Sequence, residues 1–367
     1  MSEDRSRWHP VLDLMRARRA SGSRPGERRD GVRLALAVEG GGMRGAVSAA
    51  MLNALDDYGF RDVFDVVYGV SSGAVNAAYF IAGSVWYPLS IYYDDLSSPR
   101  FIDIRRALSR RSVLDLDYAF NTVVDMVKPL DYSAVLRSPV QLVVGISDVD
   151  RRSPLLACDF ASEDDLRSAL RASAWLPLVI RERGEYRGRR VLDGGVLAPH
   201  PGKMALDAGN THVLSLSTKP ASAVRGGVTA LDRLAAWQLD REAPGLGESF
   251  LRTVAGAGED QTRMRGLSTS PAVDPPHLLN IAPAEGNSEV KRQEIRATAI
   301  LKACRSAYAE MFCHLEGRPV ADVRAGRLEC IPRLSLVEKG AGGRVDLHLH
   351  SRDAGGVEVR PWRSRHH

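Results

Sequence analysis

The residues with the clearest chemical potential are the five from Gly69 to Gly73, which read GVSSG. They fit the pattern G-x-S-x-G, in which a nucleophilic serine is exposed on a strained turn between a strand and a helix. A β-prone apolar run at 65–68 precedes the motif, and an apolar run at 74–82 with the composition of a buried helix follows it. Glycines let the backbone turn sharply and approach its neighbours closely. The motif therefore predicts an acyl-transfer enzyme with Ser71 as its nucleophile.

A nucleophilic serine also needs hydrogen-bond donors for the oxyanion, and a glycine-rich turn upstream can supply them. Residues 40–45 read GGGMRG and follow a predicted buried strand at 32–38. Amides without side chains can point into a cavity, and the N-terminus of the next helix favours negative charge. The same turn fits the dinucleotide pattern G-x-G-x-x-G at Gly40, Gly42 and Gly45, but no Walker lysine or ribose-binding acid follows. We favour the oxyanion role.

The proton acceptor is the open question. Asp193 ends a predicted strand, and Gly194 and Gly195 after it allow close approach to another loop. Taken alone, an Asp-Gly pair is more often an ordinary turn. A Ser-His-Asp triad is an alternative, because the chain order of serine, acid and histidine is formally available. Its candidate histidines are His200, His212 and His277.

The elements that must position these residues alternate between strand and helix. A strand, the glycine turn and a helix at 46–58 come first, followed by the strand and helix around Ser71. This order predicts an α/β fold with a mostly parallel sheet covered by helices. Further strands are expected at 140–147, 212–217, 278–281 and 344–350. Further helices are expected at 163–173 with Ser162 as N-cap, at 118–127, at 230–239 and at 289–315 with Ser288 as N-cap.

We expect four segments along the chain. Residues 1–32 are expected to form a basic, loosely ordered leader with a short amphipathic helix that begins near Pro10. Residues 33–217 are expected to form the catalytic domain. Within it, the irregular stretch 84–138 is expected to form a lid or a substrate-facing insertion. Residues 218–316 predict an extension with a long amphipathic helix that packs on the core. Residues 317–367 predict a weakly patterned basic tail.

Composition places the chain among ordinary globular proteins: of 367 residues, 44% are hydrophobic and 26% charged. The net charge is +5, and residues 1–33 hold nine arginines against five acids. Such an excess attracts anionic lipid, although a solvated tail is the commoner use. No nucleic-acid motif, apolar span or signal peptide is evident. We expect a cytoplasmic protein with peripheral contact to a membrane and no nucleic-acid partner.

Metal and disulfide chemistry are not indicated. The four cysteines are scattered without a C-x-x-C pair, which favours free thiols. His348 and His350 lie two apart on a predicted strand, but no third metal ligand is evident. We assign no metal and no cofactor.

Taken together, the motifs resemble those of the patatin-like phospholipase family. The glycine turn, the serine elbow and the Asp-Gly-Gly triplet occur in that order, and residues 172–177, ASAWLP, are similar to the family's Ala-Ser-x-Ala-x-Pro segment. The resemblance covers roughly residues 33–217. It implies a three-layer α/β/α fold and hydrolysis of phospholipid or other lipid esters, of phospholipase A, lysophospholipase or esterase type, through an acyl-serine.

The resemblance also implies a Ser-Asp dyad that needs no histidine, metal or cofactor. Ser71 is then the nucleophile and Asp193 the proton acceptor, with the amides of Gly41, Gly42 and Arg44 as the oxyanion hole. An aspartate near its usual pKa of about 4 is a weak base, so desolvation and a hydrogen bond to the serine must poise it.

Three departures from the family pattern bear on the site. Glu39 stands where aspartate is common, and Trp175 replaces a small residue, which is expected to narrow the acyl site. His200 stands where the family often has asparagine, so a Ser-Asp-His hybrid stays open. A non-catalytic lipid-binding protein on the same fold is the alternative from another functional class.

Overall fold

The computed structural model describes residues 8–84, 89–109, 111–177, 179–198, 200–284, 290–331, 335–339, 345–351 and 358–361. Side chains are described as far as residue 328, except at 324. The strands are β1 Leu34–Val38, β2 Val66–Val70, β3 Gln141–Asp148, β4 Ser153–Ala157, β5 Gly184–Tyr186, β6 Arg189–Asp193, β7 His212–Leu216, β8 His277–Ile281, β9 Leu328–Ile331, β10 Ser335–Lys339, β11 Val345–Ser351 and β12 Glu358–Pro361.

Three kinds of helix or helical turn occur in the described chain. The α-helices are α1 Pro10–Ala20, α2 Gly45–Asp57, α3 Ser72–Ala82, α4 Tyr132–Arg137, α5 Glu163–Ser173, α6 Pro201–Asp207, α7 Ala230–Leu239, α8 Leu246–Thr269, α9 Ala297–Glu316 and α10 Ala321–Arg324. The π-helices are Ile91–Asp95 and Tyr118–Val127. The 3₁₀ turns are Gly42–Arg44, Arg61–Val63, Ile104–Ser109 and Gly194–Val196.

The main sheet has eight strands in the order β5-β6-β3-β2-β1-β7-β8, with β4 paired to β3 outside this path. Strands β3, β2, β1, β7 and β8 are parallel to one another, whereas β4 and β6 pair antiparallel with β3, and β5 pairs antiparallel with β6. All five residues of β1 and of β2 are buried, as expected for strands that are covered on both faces. The predicted mostly parallel sheet is confirmed.

Alternating residues of β1 enter two separate hydrophobic layers, which makes the fold a three-layer α/β/α structure. Leu34, Leu36 and Val38 pack in a cluster that includes residues of α1, α2, α3, α5 and α9. Ala35 and Ala37 pack in another cluster with residues of α6 and α8. Because successive strand side chains point to opposite faces, helices cover both sides of the sheet.

Several expected elements occur within one or two residues of their predicted bounds, including α1 at Pro10, α5 with its Ser162 cap, and α7. The helix expected at 289–315 begins later, at Ala297, and its predicted cap Ser288 lies outside the described residues. Before it, the Arg292 carbonyl accepts a bond from the Met43 amide at 3.1 Å. This contact with the glycine turn holds the preceding segment out of the helix.

The structure also differs from the expected segments. In the described part of residues 1–32, α1 buries Val11, Leu12 and Met15 in the core, so this stretch is ordered. The main sheet continues past residue 217, because β8 pairs with β7. Beyond α9, strands β12-β11-β10-β9 form a four-stranded antiparallel sheet. The boundaries of the four segments stay predictions.

Membrane-spanning helices and metal-binding clusters are both absent from the described residues. None of their helices has the length and apolar composition that a bilayer span requires. No group of three or more His, Cys, Asp or Glu residues in this part of the chain could hold a metal ion. The side chains of His348 and His350 lie outside the described set.

Candidate active site

Ser71 lies on a strained turn between β2 and α3. Its backbone has φ 57° and ψ −135°, a region that non-glycine residues rarely adopt and that clusters at functional sites. The flanking glycines make the turn possible. A Cβ at Gly69 would lie 2.5 Å from the Ala74 Cα, and one at Gly73 would lie 2.3 Å from the Val38 carbonyl oxygen. The strand–turn–helix context that the motif requires is present.

Asp193 reaches Ser71 because two strands meet end to end along one edge of β3. Val70, the last residue of β2, pairs with Gly145, and Asp193, the last residue of β6, pairs with Ile146. The other edge of β3 is taken by β4 over these positions, so β2 and β6 must share an edge. Since β2 is parallel and β6 antiparallel to β3, their final residues converge. The nucleophile and the carboxylate therefore line one cleft.

The C-terminal end of α5 and the residues that follow it hold both of these residues by their backbones. The Oγ of the fully buried Ser173 accepts a hydrogen bond from the Ser71 amide at 2.8 Å and donates to the Gly145 carbonyl at 2.7 Å. Two residues later, the Trp175 carbonyl accepts a bond from the Asp193 amide at 2.8 Å. The sequence showed that this segment is similar to a family motif, but it did not indicate a role for Ser173.

The Asp193 carboxyl group is only 3% exposed. Its Oδ1 accepts a bond from the Gly195 amide at 2.8 Å, whereas Oδ2 has no hydrogen-bond partner of ordinary geometry among the described residues. Burial raises the pKa of Asp193, and the Ser71 hydroxyl, the Gly195 amide and the Arg292 guanidinium each oppose the rise. The net increase makes this carboxylate a stronger base than a solvated aspartate.

The glycine turn faces the same cleft. Gly41 has φ 125° and Gly42 has φ 63°, and neither amide donates to another residue in the described ranges. A Cβ at Gly40 would lie 2.3 Å from the Val70 carbonyl oxygen, which explains the close packing of the turn on β2. The Arg44 amide, expected as a third donor, instead bonds to the Gly41 carbonyl at 3.4 Å. Gly41 and Gly42 are thus the better-placed donors.

His200 lines the cleft, but its ring contacts residues other than Ser71. Its Nδ1 accepts a bond from the Gly202 amide at 3.1 Å, which assigns the proton of the neutral ring to Nε2. That Nε2 lies 3.5 Å from the Ser217 Oγ and 3.8 Å from the Glu39 Oε2. Among the described contacts of His200, none is with Ser71.

Glu39 has a structural place in this network. Burial acts to raise the pKa of its carboxyl group, but the nearby His200 ring, the bond from the Thr218 amide and the charge of Lys219 outweigh burial and hold the pKa at about 2. Its Oε2 accepts bonds from the Thr218 amide at 2.6 Å and from the Thr218 hydroxyl at 3.0 Å. An ionised Glu39 therefore ties the start of the glycine turn to the end of β7.

The other two candidate histidines are at the wrong end of the sheet. His212 and His277 are the first residues of β7 and β8, and their rings lie 4.9 Å apart. Strands β1, β2, β7 and β8 are parallel, so their N-terminal ends lie together at one end of the sheet. His212 and His277 lie at that end, whereas Ser71 follows the C-terminal end of β2. They are remote from the serine elbow.

Two cavities meet at Ser71, Gly42 and Leu176. One is a polar cleft of about 340 Å³ that also contains Asp193 and Lys219. The other is a small apolar pocket of about 80 Å³. Its apolar lining comes mainly from the predicted substrate-facing stretch and includes Ile91, Leu96, Phe101, Leu114, Leu116 and Phe120. Trp175, expected to narrow the acyl site, does not line this pocket, and its Nε1 donates to the Glu182 carbonyl at 2.8 Å.

Arg292 is a residue of the cleft that sequence reasoning missed. Its guanidinium lowers the pKa of Asp193, and its carbonyl anchors Met43 in the glycine turn. It lies far from every motif along the chain, so no local signal could have found it.

Several known proteins are similar to this chain, and three of them are described next. An uncharacterized protein named YjjU from Escherichia coli (strain K12) is 26% identical over 198 residues, which are 52% of this chain and 53% of the relative. The matched part thus spans about half of that relative's length. A solved structure of VipD from Legionella pneumophila aligns at 14% identity with a TM-score of 0.40, covering 78% of this chain and 67% of that one. The type III effector ExoU aligns at 13% identity with a TM-score of 0.24, covering 63% and 53%.

A family model gives the remaining finding. The model described as patatin-like phospholipase matches residues 36–206, a range that runs from β1 to α6 and includes Ser71 and Asp193. Residues 36–206 of this chain therefore belong to the patatin-like phospholipase family.

Proposed function

We propose that this protein is a lipid acyl hydrolase that cleaves carboxylic esters through an acyl-serine intermediate, with Ser71 as nucleophile and Asp193 as proton acceptor. The carrying observation is that the strained Ser71 turn and the buried Asp193 carboxyl open into one cleft, where the Asp193 Oδ2 has no ordinary hydrogen bond to any described residue. Family membership supports the same class of chemistry.

Acylation is the first half of the proposed reaction. The Asp193 carboxylate takes the proton of the Ser71 hydroxyl while Oγ attacks the ester carbonyl carbon. The carbonyl oxygen gains a negative charge, which the Gly41 and Gly42 amides and the N-terminus of α2 stabilise. Asp193 then gives the proton to the departing alcohol, and an acyl-serine and the free alcohol remain.

Deacylation repeats these steps with water. Asp193 takes a proton from a water molecule, and the resulting hydroxide oxygen attacks the acyl carbon. When the tetrahedral intermediate collapses, Asp193 returns the proton to the Ser71 Oγ, and the carboxylic acid leaves. No other titrating group is required in this scheme, in which His200 caps α6 and lies beside Glu39 rather than moving protons.

The two cavities indicate how an ester is oriented. We place the first carbons of the acyl chain in the apolar pocket and the alcohol side in the polar cleft with Lys219 and Arg292. The ester carbonyl then lies over Ser71, where the cavities join. This orientation suits a lipid ester with a polar or anionic alcohol portion.

Labelling with a fluorophosphonate tests the proposal. The folded protein should react covalently and lose esterase activity, because an activated serine attacks phosphorus, and Ser71→Ala should not be labelled. A panel of phospholipid, triacylglycerol and short p-nitrophenyl esters then defines the substrate. If folded wild-type protein is labelled no more than Ser71→Ala, the proposal is wrong, and a non-catalytic lipid-binding protein is favoured.

A further inference from the structure

Two large apolar side chains project into solvent beside the apolar pocket. Ile104 is 70% exposed and Leu108 is 91% exposed, and both belong to the 3₁₀ turn Ile104–Ser109. Single exposed apolar residues are ordinary, but two of this size on one short turn need an explanation.

Positive charge surrounds this pair. Residues 100–111 contain five arginines and one aspartate. The Arg105 side chain is 81% exposed and pairs with Asp103 at 3.0 Å, and Arg111 is exposed at the end of the turn. Arg181, from a neighbouring loop, donates to the Ala107 carbonyl at 3.5 Å. We call Ile104, Arg105, Leu108 and Arg111 the Ile104 patch.

The patch is the outer tip of a hairpin whose inner side forms the apolar pocket. The Asp103 amide donates to the Val113 carbonyl at 3.1 Å, and Ile102 pairs with Leu114 in an antiparallel bridge. Phe101 and Leu114 from this hairpin line the pocket that reaches Ser71. A surface that engages the Ile104 patch therefore lies next to the pocket wall.

We propose that the Ile104 patch docks the protein on an anionic lipid surface. Exposed apolar residues insert at the boundary between head groups and acyl chains, and each nearby arginine adds electrostatic attraction to anionic lipid. Docking at this hairpin brings the apolar pocket close to the acyl chains of the bilayer. The proposal goes beyond the proposed hydrolysis, because lipid binding requires no turnover.

A second exposed apolar surface provides a matched comparison. On α7, Leu231 is 77% exposed and Trp237 is 52% exposed. Residues 230–241, however, contain two arginines and two aspartates, so this surface carries no excess charge. Charge complementarity to an anionic surface therefore selects the Ile104 patch over α7.

Vesicle co-sedimentation tests the proposal on Ser71→Ala protein, so that an error in the proposed chemistry cannot affect the result. Vesicles of phosphatidylcholine alone are compared with vesicles of phosphatidylcholine and phosphatidylglycerol. The pairs Ile104→Ser/Leu108→Ser and Arg105→Gln/Arg111→Gln should each lower binding to the anionic vesicles about tenfold or more, and added salt should weaken wild-type binding. The control pair Leu231→Ser/Trp237→Ser should bind like the parent.

Three results would overturn the proposal. The first is anionic-vesicle binding that both patch pairs leave unchanged, and the second is a control pair that loses as much binding as they do. The third is a concentration-dependent dimer that the Ile104→Ser/Leu108→Ser pair abolishes while no variant binds vesicles, which would assign the patch to a second copy of the chain. With Ser71 restored, hydrolysis of a soluble short ester should be the same in all patch variants.

Discussion

At the residue scale, the site contrasts two possible proton acceptors in one cleft. Asp193 is buried, has a raised pKa and keeps one oxygen without an ordinary hydrogen bond in the described part of the structure. His200 has one ring nitrogen occupied by the Gly202 amide, while the other faces Glu39 and Ser217. An acceptor must be able to reach the proton that it takes, so the geometry favours Asp193.

The positive charge of Arg292 should extend activity to lower pH. Asp193 accepts a proton only when ionised, so kcat/KM should fall as pH decreases through its pKa. The Arg292 guanidinium favours the ionised carboxylate, so Arg292→Gln should raise the pKa of Asp193. The acid limb of the profile, which is the decline of kcat/KM at low pH, should then move to higher pH. Profiles of kcat/KM against pH measure the change.

Lys219→Met is the matched control for this shift, because Lys219 lines the same cleft but is not among the groups that act on the Asp193 pKa. Its acid limb should coincide with that of the wild type. If Arg292→Gln leaves the acid limb in place or moves it to lower pH, the decline in activity reflects the titration of a group other than Asp193.

At the element scale, the site depends on the C-terminal end of α5 and on the segment that joins it to β5. Ser173 and Trp175 bond the backbones of Ser71 and Asp193, so a single stretch of chain fixes both ends of the proposed dyad. Strands β2 and β6 bring the two residues together, and this segment sets their mutual position. Small displacements of reacting groups are costly in rate.

Ser173→Ala should therefore impair chemistry more than binding. The change leaves the buried Ser71 amide without its acceptor and relieves the constraint on its positive φ. We expect kcat to fall about ten- to a hundredfold with KM little changed, and stability to fall by about 1–3 kcal/mol. Steady-state kinetics, the rate of fluorophosphonate labelling and thermal unfolding measure these effects.

Ser215→Ala is a suitable control for Ser173→Ala. Ser215 is fully buried, and its Oγ has no hydrogen-bond partner among the described residues. Its removal should leave kcat and stability nearly unchanged. A fall in stability for Ser173→Ala without loss of kcat would mean that Ser173 supports the fold alone.

Helix α8 allows a stability prediction with an internal control. A Cβ at Gly256 would meet nothing within 4 Å, whereas one at Gly258 would lie 2.6 Å from the Arg225 carbonyl oxygen. Gly256→Ala should stabilise the protein by about 0.5–1 kcal/mol, because alanine is the better helix former. Gly258→Ala should give no gain or a loss. Chemical denaturation measures both, and equal effects would contradict the assigned packing.

The elements around the motifs could be predicted because apolar runs and turn residues mark their limits. Strand β1, helix α2 and helix α5 with its Ser162 cap followed from such signals. Helix α8 was not predicted, because Gly256, Gly258 and Gly266 lower its intrinsic helix propensity. The stability that it gains from packing depends on residues distant in the sequence, so no local signal shows it. Strands β4 and β5 were not predicted either, since short edge strands carry little pattern.

At the whole-molecule scale, the N-terminal segment is part of the core. The Arg18 side chain is 2% exposed and binds Asp30 and Asp65, each at 2.8 Å, as well as the Val63 carbonyl. Composition alone suggested a solvated basic leader, because a count of arginines does not show which of them are paired. The order of the motifs predicted the catalytic part, but the main sheet extends to β8, beyond that part.

Arg18→Met should destabilise the protein by about 3 kcal/mol, because it removes the buried partner of Asp30 and leaves Asp65 with Arg28 as its remaining ion pair among the described residues. The bond from Arg18 is the main cause that holds the pKa of Asp30 at about 2. Asp30 thus contributes stability above its unfolded pKa of about 4, and this contribution is lost as pH falls towards 2. The decline in Tm from pH 4 to pH 2 should therefore be shallower in Arg18→Met.

Arg29→Met, a change at an exposed arginine, controls for the loss of charge. Its Tm and the dependence of that Tm on pH should match the wild type. If Arg18→Met unfolds at the same temperature as Arg29→Met, helix α1 does not contribute to the core as described.

The central claim is that Asp193, and not a histidine, takes the proton of Ser71. The most direct test compares kcat/KM of Asp193→Asn with that of His200→Asn on one soluble ester. Asparagine at 200 keeps a side chain that can cap α6 but removes the imidazole. We expect a loss of at least about a hundredfold for Asp193→Asn and a change of no more than a few-fold for His200→Asn. Retained turnover in Asp193→Asn together with its loss in His200→Asn would show that a histidine takes the proton.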